Sequence, residues 1–181
     1  NIIFTSKLNS KMIVHADGLF CDNKNKNLWI YTADCMPILF ADKFKRRVAA
    51  IHCGRIGLEK NIISNAIKSF EIMGSSRKDI LVSIGPSISG DNYLLDKKTI
   101  YNFSIQNNPS LSKVNKYIKN LNDYEKIQFD IKKYAYLQLL MENLDPNNID
   151  ISNECTYSLP NEFHSWRRSK NDKRQWSVIC S

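Results

Sequence analysis

The chain has 181 residues, of which 43% are hydrophobic and 24% charged, and its net charge is +8. This length and composition allow one buried hydrophobic core and exclude an intrinsically disordered protein. No apolar run approaches the ~20 residues of a membrane-spanning helix, so we expect no membrane partner. The positive charges are scattered along the chain, so we expect no nucleic-acid partner either. The five cysteines form no CxxC pair, which favours free thiols in a cytoplasmic protein.

The first third of the chain is predicted to consist of strands. Short runs rich in β-branched and aromatic residues, bounded by Asp, Lys or Gly, predict strands at 2–5, 12–15, 28–32, 36–41 and 48–52. A polar DKFKRR turn separates the last two runs, which predicts an adjacent antiparallel pair that is largely buried.

The remainder alternates between helical and strand patterns. From Leu58 an apolar stripe with helical spacing predicts one helix that stops at Gly74. A strand at 80–84, a short helix at 99–106 and a polar surface insertion at 107–126 with a weakly helical centre follow. Asp130 is expected to cap a helix that runs to about Leu144 and is closed by Pro146. Further strands are predicted at 149–152, 163–166 and 175–180. Without a repeat or a linker, the pattern predicts a single mixed α/β domain over residues 1–181.

Cys35 and His52 stand at the ends of two predicted neighbouring strands, where side chains reach a cleft. The CGRIG sequence after His52 is a glycine-containing turn into a helix, and backbone N–H groups at such a turn can bind phosphate. Three readings remain open at this point. The histidine activates Cys35 as a nucleophile, the pair binds zinc, or both residues belong to the core.

Six motifs occur in a characteristic order: ADGLFCD, TADCMPILFAD, AAIHCGRIGL, IGPSISGDNYLLD, NECT and FHSWRRSKNDKRQWSVI. Together they resemble the YfiH-type family, whose members are also called laccase-domain or polyphenol oxidase proteins and zinc-dependent purine nucleoside phosphorylases. The resemblance extends from about Ala16 to the C-terminus. It implies an α/β (α+β) fold, a layered sandwich of mixed β-sheets covered by helices, which is shared with Cys–His deamidating toxins.

The resemblance implies that Cys35 and His52 are two ligands of a zinc ion. The family takes its third ligand from a QVH histidine, which its spacing puts just before Asn1, so we expect the chain to lack an N-terminal segment that carries it. The open fourth position takes water, hydroxide or phosphate. Copper is expected less than zinc because blue-copper oxidases need several histidines and this chain has three. His15 is expected to be structural.

The resemblance also implies an anion site. It assigns Arg167 and Arg168 to catalysis through phosphate binding, and it assigns four further residues to substrate or phosphate binding: Gly54, Arg55, Gly57 and Arg174. The family motif HAGWRG reads HCGRIG here, so that Arg55 stands at the family's tryptophan and Ile56 at its arginine. Either Arg55 substitutes from the neighbouring position, or the activity is altered or lost.

The function implied by the resemblance is a zinc-dependent purine nucleoside phosphorylase that also deaminates adenosine. Its partners are then phosphate and purine nucleosides (adenosine, inosine, guanosine and methylthioadenosine), and it is a monomer or small homo-oligomer. Two alternatives stay open. One is a metal-free Cys35–His52 hydrolase or amidase, and the other is a catalytically impaired nucleoside-binding or regulatory protein.

Overall fold

The structure is a computed structural model that describes residues 1–8, 14–100 and 126–181, together with the backbone of 118–120. Its strands are β1 (Ile2–Phe4), β2 (Gly18–Cys21), β3 (Asn27–Thr32), β4 (Met36–Asp42), β5 (Val48–Cys53), β6 (Ile80–Ile84), β7 (Leu94–Asp96), β8 (Ile118–Asn120), β9 (Lys126–Phe129), β10 (Ile149–Ile151) and β11 (Gln175–Cys180). Its α-helices are α1 (Arg55–Glu59), α2 (Ile62–Ile72), α3 (Ile131–Met141) and α4 (Trp166–Ser169). Within these residues, every helix is too short or too polar to cross a bilayer.

The central sheet has six strands in the order β1-β2-β5-β4-β6-β10. Its two outer pairs, β1–β2 and β6–β10, are parallel, and the inner pairs are antiparallel. The predicted antiparallel pairing of β4 with β5 is therefore confirmed. Strands β3 and β11 form a separate antiparallel pair, and β7, β9 and β8 form a small antiparallel sheet.

The central sheet is covered on both faces. On one face, α2 and α3 enclose the main core, in which Phe20, Phe40 and Phe70 are fully buried. On the other face, the β3–β11 pair closes a smaller core around Leu28 and Val48. The mixed α/β sandwich predicted from the sequence is thus confirmed. The single-domain organisation stays a prediction.

The apolar stripe predicted as one helix is divided between α1 and α2. The break occurs where Asn61 adopts a left-handed conformation with φ of 54°, which a continuous helix does not allow. The predicted stop is confirmed, since Gly74 has φ of +81° just beyond α2. Gly74 N donates to Glu71 O at 2.8 Å and Ser75 N to Phe70 O at 2.9 Å, which is a Schellman ending.

Most other predicted elements are confirmed within the usual boundary error. The confirmed strands are those at 2–5, 28–32, 36–41, 48–52, 80–84, 149–152 and 175–180. Asp130 caps α3 by accepting from Lys133 N at 3.0 Å. The strand at 163–166 is wrong, because the Ser165 hydroxyl accepts from Arg168 N at 3.1 Å and starts α4 instead. The predictions at 12–15, 99–106 and 107–126 lie largely outside the described residues.

Candidate active site

Cys35 and His52 line one cavity of about 400 Å³. Cys35 directly precedes β4, and His52 lies in β5, opposite Pro37 in the strand register. The sulfur of Cys35 lies so close to Gly54 that a Cβ at that glycine would be 2.7 Å from it. Real Cβ atoms essentially never approach a sulfur this closely, so the thiol occupies the space that only a glycine leaves open.

The protein environment keeps both groups uncharged near neutral pH. Burial and, to a smaller extent, the Asp34 carboxylate raise the pKa of Cys35 to about 11, against the opposing positive charge of Arg174. Burial lowers the pKa of His52, with Asp17 opposing and Arg174 assisting. A neutral thiol is a poor nucleophile, whereas a bound cation would favour the thiolate. The pair therefore has the donor chemistry of a metal site rather than that of an activated thiolate.

The structure brings five of the predicted site residues to this cavity: Cys35, His52, Gly54, Arg55 and Gly57. Sulfur and imidazole are donors that zinc accepts, so the two residues fit part of a zinc site. Across the ranges that the structure describes, no group of three or more His, Cys, Asp or Glu side chains is arranged to hold a metal ion. Asn1 also lines the cavity.

Tyr93 forms an aromatic wall of the cavity, a feature that sequence reasoning missed. It directly precedes β7, and its carbonyl accepts from Phe129 N at 3.0 Å. Burial raises the pKa of Tyr93 and keeps its hydroxyl protonated, while the positive charges of Arg55 and Arg167 act in the opposite direction. The only signal in the sequence was its place in the IGPSISGDNYLLD motif, which does not indicate where the ring points.

Cations line the same cavity. Arg55 is ion-paired with Glu59, one helical turn further along α1. Lys60 is exposed and lies at the break between α1 and α2, and Asn65 of α2 faces the same space. The break between α1 and α2 therefore places Lys60 beside the cavity.

The two tandem arginines have different surroundings. The guanidinium of Arg168 donates to three backbone carbonyls, each at 2.7 Å: Thr156 O, Tyr157 O and Phe163 O. Arg167 donates from Nη1 to Leu94 O at 3.1 Å, and its Cζ lies 5.3 Å from the centre of the Tyr93 ring. The predicted phosphate role of both stays a prediction. Their contacts favour a structural role for Arg168 and a place beside the cavity wall for Arg167.

The other predicted residues lie at the edge of the site or away from it. Arg174 donates from Nη1 to Asn171 O and Lys173 O, both at 2.8 Å, and its charge acts on both Cys35 and His52. His15 and His164 are exposed, and neither is among the residues that line the cavity.

Asp34 is a further residue to which sequence reasoning gave no role. It is 8% exposed and has φ of 83°, a conformation that Asp tolerates better than most residues. Its carboxylate accepts from Thr156 Oγ1 at 2.7 Å, from Ser165 Oγ at 3.0 Å and from Arg167 N at 2.6 Å. The residue before Cys35 is thus fixed to the C-terminal part of the chain.

Cys155 is a second thiol with a perturbed environment, outside the cavity. Burial alone would raise its pKa, but hydrogen bonds from Ser89 and Ser158 outweigh it and lower the pKa to about 6. Ser89 N lies 3.3 Å from the sulfur, and Asn92 Nδ2 lies 3.5 Å from it. The sequence assigned Cys155 no role, because these donors come from a distant loop.

Comparisons with known proteins give a consistent result. A family model described as "Multi-copper polyphenol oxidoreductase laccase" matches residues 2–181. A protein from Synechocystis sp. named "Purine nucleoside phosphorylase slr1573" is 31% identical over 179 residues, which cover 92% of this chain and 68% of that protein. "Purine nucleoside phosphorylase YlmD" from Bacillus subtilis is 33% identical over 155 residues, covering 85% and 54%.

Solved structures agree with these relatives. The hypothetical protein YfiH from Bacillus licheniformis superposes with a TM-score of 0.83 at 27% identity, over 91% of this chain and 61% of that one. YlmD from Geobacillus stearothermophilus gives a TM-score of 0.84 at 26% identity, over 92% and 61%. The chain thus spans between 54% and 68% of the length of these four proteins. It has their fold, and it belongs to the multi-copper polyphenol oxidoreductase laccase family.

Proposed function

We propose that this chain is a purine nucleoside phosphorylase whose reaction takes place in the cavity that Cys35 and His52 share. The observation that carries the proposal is that Cys35 and His52 line one cavity, in which the Cys35 sulfur packs against Gly54. At about 400 Å³, the cavity lies within the ~300–1,000 Å³ range of small-molecule sites. The names of the relatives support phosphorolysis as the reaction.

Zinc is the metal that we propose, with the Cys35 sulfur and the His52 imidazole as two of its ligands. These donors suit zinc, and the family description names copper, so metal identity is itself part of the proposal. The third ligand would be contributed by a residue N-terminal to Asn1, which borders the cavity. When bound, the metal supplies a positive charge that holds Cys35 as a thiolate and polarises phosphate or water.

The side chains of the cavity have separate tasks in this proposal. Phosphorolysis exchanges the base at the ribose C1′ for phosphate, and negative charge develops on the leaving purine. The Tyr93 ring forms a wall against which the purine packs, and Lys60 and Arg55 attract the phosphate. Gly54 leaves the space that the Cys35 sulfur occupies, and both Gly54 and Gly57 line the cavity in which the substrate would bind. Together these groups orient the phosphate toward the sugar, which is where most of the rate enhancement would arise.

A second candidate function is nucleoside binding with impaired turnover. The specific observation behind it is the ion pair between Arg55 and Glu59, because a paired guanidinium has less charge to offer phosphate. Adenosine deamination in the same cavity remains a proposed additional activity. The metal-free Cys35–His52 hydrolase is less favoured, since burial raises the pKa of Cys35 and lowers that of His52.

The test uses the natural protein with any residues that precede Asn1. We expect about one zinc per chain by elemental analysis, and release of hypoxanthine from inosine that depends on added phosphate. Base release without phosphate, or none from a zinc-loaded protein, would contradict phosphorolysis. Inosine binding without turnover would instead support the second candidate. In that case the paired change Arg55→Trp with Ile56→Arg, which restores the family pattern, should restore base release.

A further inference from the structure

The outer face of the β3–β11 sheet carries a cluster of exposed aromatic side chains. Four large residues form this surface, which we call the aromatic face: Trp29, Tyr31, Trp176 and Val178. The three aromatic residues are 54–61% exposed and Val178 is 42% exposed. Ile30, between Trp29 and Tyr31, and Ile179, next to Val178, point to the opposite side and pack on the smaller core. A contiguous exposed apolar surface of this kind marks a binding site more often than a single exposed residue does.

The rings of the aromatic face form one continuous surface. In the strand register Trp176 is opposite Tyr31, and Val178 is opposite Trp29. The Trp176 ring centre lies 5.1 Å from that of Tyr31 and 6.2 Å from that of Trp29, both in edge-to-face geometry. Such contacts hold each ring in place, so the face is preorganised to stack planar groups.

Lysines stand at both ends of the aromatic face. Lys24 and Lys26 are exposed in the turn before β3, and the Ser181 N–H fixes this turn by donating to Lys26 O at 3.0 Å. At the opposite end, the exposed Lys173 comes two residues before β11. Six strand residues span about 20 Å, so the two ends are separated by roughly that distance.

We propose that the aromatic face binds a single-stranded polynucleotide, with bases stacked on the rings and phosphates paired with the flanking lysines. Aromatic side chains combined with cations along the backbone path are the common chemistry of sequence-tolerant single-strand sites. The net charge of +8 favours a polyanion over a neutral polymer or a second copy of this chain. The aromatic face shares no residue with the cavity, so this proposal is independent of the phosphorylase.

This proposal departs from the expectation drawn from the sequence. The lysines are scattered along the chain and gave no basic patch there. Pairing of β3 with β11 brings Lys24 and Lys173 to the two ends of the same aromatic sheet. The signal lies in the three-dimensional arrangement and not in any local run of residues.

Intrinsic fluorescence gives a direct test, because Trp29 and Trp176 are two of the three tryptophans. Titration with a 12-nucleotide oligouridylate should quench this fluorescence, and fluorescence anisotropy of the labelled oligonucleotide should give the affinity. We expect Trp176→Ala to weaken binding by about tenfold. The matched control is Phe44→Ala, since Phe44 is 80% exposed in the β4–β5 turn away from the face, and it should leave the affinity unchanged.

The charge contribution is tested separately with Lys24→Gln and Lys26→Gln. Both should reduce the dependence of the affinity on salt between 50 and 200 mM, whereas Lys78→Gln, at an exposed site elsewhere, should not. Three results would overturn the proposal: no quenching at 50 mM salt, equal weakening by Phe44→Ala, or equal affinity for a duplex. Binding of phosphatidylserine vesicles in place of the oligonucleotide, or self-association abolished by Trp176→Ala, would overturn it as well.

Discussion

The backbone N–H of Arg167 donates to Oδ2 of Asp34 at 2.6 Å, which joins the residue before Cys35 to the first turn of α4. The hydroxyl groups of Ser165 and Thr156 donate to the same carboxylate. Asp34 therefore gathers three donors from a part of the chain more than a hundred residues away. The position of Cys35 in the cavity depends on this distant anchor.

Replacing Asp34 by Asn should lower the free energy of unfolding by about 2–3 kcal/mol, because buried donors lose a charged acceptor. Asn is the suitable replacement, since it tolerates the positive φ at this position. Urea denaturation measures the change. Asp150→Asn, at an exposed carboxylate of β10, serves as the control and should change stability by less than about 0.5 kcal/mol. Equal stabilities for the two variants would show that the anchor contributes little.

Replacing Gly54 by Ala should impair the site without unfolding the protein. The new Cβ would meet the Cys35 sulfur at 2.7 Å and displace it. We expect phosphate-dependent base release to fall by about 100-fold, since small displacements of reacting groups cost that much. Gly74→Ala provides the contrast: its φ of +81° makes a side chain strained, which should lower the melting temperature and leave base release intact. If Gly74→Ala abolished base release while Gly54→Ala only lowered the melting temperature, the assignment of the site would be contradicted.

The tandem arginines should separate into a cavity-wall residue and a structural residue. Arg168→Lys cannot reproduce the three carbonyl contacts and should lower the melting temperature by several degrees. Arg167→Lys loses the contact with the Tyr93 ring and should instead raise KM for the nucleoside by about tenfold with little loss of stability. Steady-state kinetics measure the change in KM, and thermal unfolding measures the change in melting temperature, for both variants. A direct phosphate role for both would appear as equal increases in KM for phosphate.

Cys155 should titrate well below the ordinary value of a cysteine thiol. Its pKa of about 6 predicts a thiolate absorbance transition at 240 nm near that pH, which Cys155→Ala should abolish. Cys21→Ala, at another buried free cysteine, should leave the transition unchanged. Because the folded pKa lies below the unfolded value of ~8.5, this thiolate adds stability above that value, and the contribution is lost as the pH falls through 6. The difference in free energy of unfolding between the wild type and Cys155→Ala should therefore change between pH 6 and 9. A difference that stays constant over this range would contradict the assignment.

Local patterns in the sequence predict the elements of the fold well, and they predict long-range contacts poorly. The alternation of apolar and polar residues identifies β3 and β11, and the Gly74 stop follows from its need for positive φ. The break at Asn61 was missed, because the apolar stripe of α1 continues into α2 with nearly the same period. The helix at Trp166 was missed because its cap, Ser165, is held by a carboxylate distant in sequence.

In the candidate site, too, residues marked by local patterns could be predicted, and residues placed by long-range contacts could not. Cys35 and His52 could be singled out, because both stand at strand ends and match ordered motifs. Tyr93 and Asp34 could not, since their roles depend on where a loop and a helix from other parts of the chain are placed. Arg167 and Arg168 were predicted as an equivalent pair. Their different contacts arise because successive residues of a helix point in different directions.

The Ser181 hydroxyl donates to Asn23 O, a residue 158 positions away in sequence. Within the described part of the chain, β3 pairs only with β11. An unpaired strand is not stable alone, so the layer beneath the smaller core can close only after the ribosome has released β11. We therefore expect this layer to form later than the pairing of β4 with β5, with the apolar surface of these two strands open to chaperones or to aggregation until it does.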